Sequence, residues 1–214
     1  MQIDNPIDLL LYLKSLNLLE QKPKFWWPNF GRFEVVVGAI LTQNTKWENV
    51  EKSLANLKGF LELEEFVKLD VDYLKEYIRP SGFYNQKGVR LHKLAQNIMQ
   101  EFGSFEGFRE NVSREWLLKQ KGIGLESADS ILCYACGRDE FVVDSYTNRL
   151  LKSIGYEFES YEDIKNWFEN GIIESWNEIN ELYENNLNLC YARLHGKIVE
   201  LNKRGLVIGG VGLL

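Results

Sequence analysis

Three groups of residues in this chain could do chemistry by their type and spacing. The first is Gly122, Ile123 and Gly124 in "QKGIGLESADSIL", a glycine turn between two helix-like segments with Lys119 and Lys121 beside it. Both glycines admit backbone angles closed to other residues, and Ile123 can plug back between the helices. The helix that starts after Gly124 leaves its first N–H groups without helical partners. Such a helix start is an anion site, and a phosphate suits it. Nothing there reads a base, so the device would grip a nucleic-acid backbone without sequence preference. It is not a dinucleotide fingerprint, because no strand precedes it and the third glycine is missing. The second is Asp144 in "FVVDSYTNRLL", placed to cap a helix that starts at Ser145. A capping carboxylate is fixed in rotamer, which acid–base or electrostatic work also needs. The third is the aromatic set Phe25, Trp26 and Trp27, with Trp47 further on. Tryptophans are mostly core residues, yet indoles gathered at one site make an electron-rich pocket for a planar cation. Cys133 and Cys136 form a C-x-x-C without a second Cys or His pair nearby. They read as two small apolar residues on a buried helix rather than a metal pair.

The elements that must position these groups read as helices. Asn5 and Pro6 signal a helix start, and Leu9, Leu10, Leu13 and Leu16 share one face. "FWWPNF" reads as a loop. An apolar stretch from Arg32 to Leu41 precedes the polar break "TQNT", and a helix resumes from Lys46 to Lys58. Two short acidic helices fit 61–78, and a longer one fits Gln86–Phe102. Ser113 can cap a helix through Lys119, and a helix from Leu125 to Cys136 follows the glycine turn. Further helices fit Ser145–Ser153, Tyr161–Glu169 and Trp176–Leu201, while "GLVIGGVGLL" reads as a packed or frayed end. No repeat and no run of alternating strands appears, so the expected class is all-α.

The chain has 214 residues, 45% of them hydrophobic, and only four prolines, so a folded globule with a real core is expected. The net charge of −6 speaks against indiscriminate polyanion binding but not against local basic surfaces. Such surfaces are Lys87, Arg90, His92 and Lys93, then Lys119 with Lys121, then Arg149 with Lys152. Three cysteines fit a reducing compartment. No apolar run approaches the ~20 residues that span a bilayer, and the N-terminus lacks signal-peptide features. A cytoplasmic monomer is expected.

Taken together, "KGIGLESADSILCYACGRDEFVVDSYTNRLL" resembles the helix-hairpin-helix and catalytic-aspartate signature of the endonuclease III-like DNA glycosylase superfamily. "GAILTQNT" resembles its segment whose glutamine enters the duplex beside the extruded nucleotide. "SGFYNQKGVRL" resembles its turn and helix, and "YARLHGK" resembles its C-terminal "HG" helix. The likeness covers roughly residues 30–200 in order. It implies two helical domains with a DNA-binding cleft between them: 29–134 with the hairpin at about 113–133, and 1–28 plus 135–214 carrying Asp144. It implies double-stranded DNA as partner, Asp144 as the catalytic residue, and Gln43 with Asn44 filling the gap left by a flipped base. Lys119, Lys121, Gly122, Ile123 and Gly124 would hold the backbone, through a monovalent cation as in the family.

Three departures narrow the expectation. Members that also nick the strand carry a lysine two residues past the second glycine, where it forms a Schiff base. Glu126 stands there and cannot, so a monofunctional glycosylase using water is expected. Many relatives carry four cysteines after the "HG" helix for an iron–sulfur cluster. Here Glu200 falls where the first would be and no cysteine follows Cys190, so no cluster is expected. Lys197 and Lys203 occupy that region. Lys203 is a candidate for the base pocket, although each lysine is also readable as a snorkelling helix residue. The indoles Trp26, Trp27 and Trp47 suit a flipped base with a positive charge. "WWPN" and "LTQNTKW" most resemble the 3-methyladenine glycosylase branch. The alternatives are a bifunctional or mismatch-type relative, and a non-catalytic helix-hairpin-helix DNA-binding protein.

Overall fold

The computed structural model describes residues 3–206 and 208; residues 207 and 209–214 of the apolar tail lie outside the described residues. Among the described residues every regular element is a helix. The chain forms two compact units, Met1–Pro28 with Arg138–Leu214 and Asn29–Gly137.

In the first unit, helix α1 (Pro6–Ser15) starts as its sequence signals, with the Asn5 side chain accepting from the Asp8 N–H at 2.9 Å. In the second, α2 (Phe33–Leu41) is buried at every residue but Glu34, as a helix so nearly apolar all round must be. The "TQNT" break follows, then α3 (Trp47–Asn56), α4 (Leu63–Phe66), α5 (Val71–Tyr77) and α6 (Tyr84–Phe102). Helix α7 (Phe105–Asn111), capped by Ser104, was not expected from the sequence. Its brevity and internal Gly107 hide the helical period.

The hairpin is α8 (Arg114–Leu118), the glycine turn and α9 (Leu125–Ser130). Ser113 caps α8 as expected, its Oγ accepting from the Trp116 N–H at 3.1 Å. The helix expected to run on to Cys136 changes pitch after Ser130 into a π-type segment, Ile131–Ala135. Cys133 and Cys136 are both buried there.

The first unit continues with α10 (Ser145–Ser153), α11 (Tyr161–Glu174), α12 (Trp176–Ile179) and α13 (Leu187–Lys203). Helix α11 runs five residues past the expected end at Glu169. The single helix expected over Trp176–Leu201 is corrected. Glu184 and Asn185 both adopt left-handed backbone (φ 56° each), and Asn186 starts a new helix by accepting from the Leu189 N–H at 2.8 Å. No proline or glycine marks that break, and asparagine tolerates the left-handed region. The core of this unit gathers Leu9, Leu10 and Leu13 of α1 with Phe168 of α11 and Leu194 and Ile198 of α13.

Candidate active site

Asp144 ends a segment that packing holds still. Phe141, Val142 and Val143 before it are buried. The Phe141 N–H donates to Glu169 Oε1 at 2.8 Å, and the Val143 N–H donates to the Tyr161 hydroxyl at 3.3 Å. Asp144 then caps α10. Its Oδ1 accepts from the Thr147 N–H at 2.8 Å and from the Thr147 hydroxyl at 3.0 Å. Its Oδ2 faces Nε2 of His195, on α13, at 3.4 Å. At that separation the contact is longer than an ideal hydrogen bond. Burial pushes the Asp144 carboxyl up, but His195, through hydrogen bonding and charge, and the two bonds from Thr147 together outweigh it. The net effect holds Asp144 below the usual carboxylate range. The group is therefore anionic at neutral pH, with one oxygen immobilised and the other set against a histidine.

Trp26 is held by the same helix. Its backbone is left-handed (φ 67°), which a bulky residue seldom adopts. A Cβ at Gly196 would sit 2.4 Å from Trp26 Cγ and 2.8 Å from its Cβ, so that position has no room for a side chain. One turn on, Glu200 Oε1 accepts from the indole N–H at 3.2 Å, and Lys22 pairs with the same oxygen at 3.4 Å. The His195 ring meets the indole edge to face, with centroids 5.3 Å apart. Three residues of α13 thus fix one tryptophan, and one of them also faces Asp144. Backbone strain kept in place by this many contacts is a mark of functional sites.

In the hairpin, Gly122 has φ 87° and needs glycine. Gly124 does not need it for its own backbone. It caps α9 with φ −99° and ψ −177°, and a Cβ there would meet nothing within 4 Å. The expectation that both glycines serve closed backbone angles is corrected for Gly124; what glycine leaves there is open space before a helix start. Ile123 is buried as expected. Arg114 of α8 donates to Asp129 of α9 through Nε to Oδ1 at 2.6 Å and through a terminal nitrogen to Oδ2 at 3.1 Å.

A family model described as HhH-GPD superfamily base excision DNA repair protein matches residues 37–172. The chain belongs to this superfamily. A putative DNA repair glycosylase of Methanocaldococcus jannaschii is 44% identical over 79% of this chain and 81% of its own length. The crystal structure of H. pylori 3-methyladenine DNA glycosylase bound to 1,N6-ethenoadenine superposes with a TM-score of 0.91 at 48% identity. It covers 95% of this chain and 100% of that one. Endonuclease III of Thermotoga maritima is 28% identical over 58% of this chain, which spans 57% of that relative's length.

The HhH-GPD match takes in the hairpin and Asp144 but ends before α13 and begins after Trp26. His195, Gly196 and Glu200 are therefore the residues that sequence reasoning passed over as site residues, although the "HG" pair was visible. Trp26 and Trp27 meet edge to face, with an interplanar angle of 89° and centroids 6.1 Å apart. Perpendicular rings cannot both lie flat on one base, and Trp27 is buried. Trp47 belongs to the second unit and is half-buried at the start of α3. Lys203 is exposed in the last turn of α13.

Lys197 is no snorkelling residue, as only 4% of it is exposed. Burial lowers its amine to about 8, with Arg193 and Lys14 adding repulsion. Its Nζ lies 3.4 Å from the Tyr183 hydroxyl. Gln43 is tied back to the hairpin, its Nε2 donating to Gly122 O and to Ser127 Oγ, each at 2.9 Å. Asn44 is exposed at the tip of its turn with φ 52°. Lys119 pairs with Glu115 at 2.6 Å, and Lys121 is exposed. Glu126 is exposed in the first turn of α9, where the helix dipole favours an acid.

Proposed function

We propose that this chain is a monofunctional DNA glycosylase that removes alkylated purines, 3-methyladenine first among them, and leaves an abasic site in an unbroken strand. It would act as a cytoplasmic monomer on double-stranded DNA. The observation that carries the reading is the joint placement on α13 of His195, facing Asp144, and of Gly196 and Glu200, fixing Trp26. The 48% identity to a 3-methyladenine glycosylase over nearly the whole chain supports the choice of base.

The chemistry follows from the charge on the lesion. A methyl group on N3 makes adenine cationic, and breaking the C1′–N9 bond returns the electron pair to the ring and neutralises it. Such a base needs little general-acid help, which suits a site whose second carboxylate, Glu200, is engaged by the Trp26 indole and Lys22. The flipped base stacks on an indole by cation–π attraction. The sugar is left as an oxocarbenium-like cation, which the anionic Asp144 stabilises. Water adds to C1′ and gives up a proton, with Asp144 Oδ2 as the near acceptor. Asn44, and Gln43 once released from the hairpin, fill the gap in the stack. The hairpin would hold a backbone phosphate at the open space by Gly124, where the Gly122 and Gly124 backbone would also hold a monovalent cation that supplies positive charge, beside that of Lys119 and Lys121. The site needs no iron–sulfur cluster, and Glu126 has no amine with which to form a Schiff base.

The test is one reaction on methylated duplex DNA, with released bases identified and strand breaks scored in the same tube. Release of 3-methyladenine without nicking, and no covalent adduct on borohydride treatment, is expected. A trapped adduct would overturn the monofunctional reading. Tight DNA binding with no base released would overturn the catalytic one.

A further inference from the structure

Helix α6 and the hairpin enclose a groove of about 740 Å³ in the second unit. Arg90 and Lys93 line it from α6, and Lys119 and Lys121 line it from the hairpin. Among the described residues no carboxylate lines it. In a chain of net charge −6 this is a local reversal of sign. The groove is a built one. Asn97 of α6 donates to Gln120 Oε1 beside the turn at 2.7 Å, and Gln120 Nε2 donates back to Trp116 O at 3.1 Å.

Arg90 lies across the hairpin itself. A Cβ on Gly122 would fall 2.5 Å from Arg90 Cδ and 2.7 Å from its Nε. The guanidinium therefore packs on the very glycine whose turn is read as the phosphate grip. Gln86, Arg90, Lys93 and Asn97 fall at i, i+4, i+7 and i+11, so they form one stripe ~16 Å long along α6. A DNA strand carries a charge every ~3.4 Å of helix axis, so the stripe can meet more than one phosphate. Glu115 holds Lys119, but both side chains are largely exposed and the pair exchanges readily.

We propose that this groove is a second DNA-backbone track, which receives the phosphates next to the one held at the hairpin turn. The proposal rests on the DNA glycosylase reading for its partner. Its contacts carry no sequence information, as a repair enzyme that meets lesions in any context requires.

The test is the salt dependence of binding to a duplex containing a tetrahydrofuran abasic analogue, followed by fluorescence anisotropy across a KCl series. Wild type, R90Q/K93Q and K52Q/K58Q are compared; Lys52 and Lys58 are exposed on and after α3 and lie outside the groove. Each phosphate contact contributes ~0.9 to the slope of log K against log salt, so R90Q/K93Q is expected to lower the slope by about 1.8. The control loses the same charge and keeps the wild-type slope, and Arg90→Lys restores most of the loss at that position. A wild-type slope in R90Q/K93Q, or an equal fall in the control, overturns the track. If the double variant fails to fold, wild type is measured on duplexes carrying methylphosphonates beside the lesion. A fall in slope at neighbouring positions supports the track, and none anywhere overturns it. Wild type that binds but releases no methylated base overturns the glycosylase reading and leaves the slope comparison decisive for the groove.

Discussion

His195 Nε2 stands 3.4 Å from Asp144 Oδ2, while the other oxygen of that carboxylate is committed to Thr147. The two oxygens therefore have separable duties, one structural and one set against the imidazole, where the proposed reaction would use it. Asp144→Asn keeps an oxygen for the Thr147 N–H, so the cap and the fold should survive. It removes the anion. Single-turnover release of methylated base should fall ~100-fold or more, while the variant still unfolds as one cooperative unit. A variant that releases base at the wild-type rate would remove Asp144 from the mechanism.

The depressed Asp144 pKa has a consequence for stability. The folded state binds its proton less readily than the unfolded chain, whose value is near 3.8. The carboxylate therefore stabilises the fold above that pH and loses its contribution as pH falls through the lower, folded value. Urea unfolding of wild type and Asp144→Asn should differ by a constant amount above about pH 5 and converge below pH 3.8. A gap that is unchanged into strong acid would contradict this assignment.

Arg114 and Asp129 hold the hairpin helices together through a fork of two bonds, with Asp129 wholly buried. Truncating Arg114 to alanine leaves a buried carboxylate without this partner and should cost ~3–5 kcal/mol in urea unfolding. Replacing both by apolar residues of similar size should cost much less than the sum of the single changes. Additive effects would show that the pair is not coupled.

Lys87 is buried, and its amine donates to Leu41 O at 2.9 Å, Ser81 O at 2.9 Å and Thr45 Oγ1 at 3.1 Å. It thus clasps the turn that carries Gln43 and Asn44. Lys87→Met should leave these acceptors short of a donor and cost ~1–3 kcal/mol for each one orphaned. Affinity for abasic DNA should weaken as the turn loosens. Unchanged hydrogen exchange at residues 42–46 would argue against the clasp. Burial lowers the Lys87 amine to about 8, so the unfolded chain holds more protons from there up to 10.5. Wild-type stability should therefore gain from this residue as pH rises through that window.

Much of this was legible in the sequence because local chemistry agreed with the fold. Asn5, Ser113 and Asp144 all cap the helices they were expected to cap, since short polar side chains before an apolar period leave few alternatives. The all-helical class followed from the same periodicity. Other features depend on distant residues and leave no local trace. A histidine on an apolar helix gives no sign of which carboxylate it will meet. Trp26 betrays nothing of its left-handed backbone, which survives through contacts from a helix some 170 positions later. The break at Glu184 and Asn185 lacks the glycine or proline that would have announced it.

His195 and Gly196 do opposite things with adjacent positions, one supplying a ring and the other supplying vacancy. Each step along an α-helix turns by ~100°. A one-residue slip anywhere in the first turns of α13 would swing the imidazole away from Asp144 and drive a side chain into the space of the indole. The dipeptide is therefore a phase mark: it sets the rotational clock of the terminal helix, and charge partner and aromatic seat can be gained or lost only together.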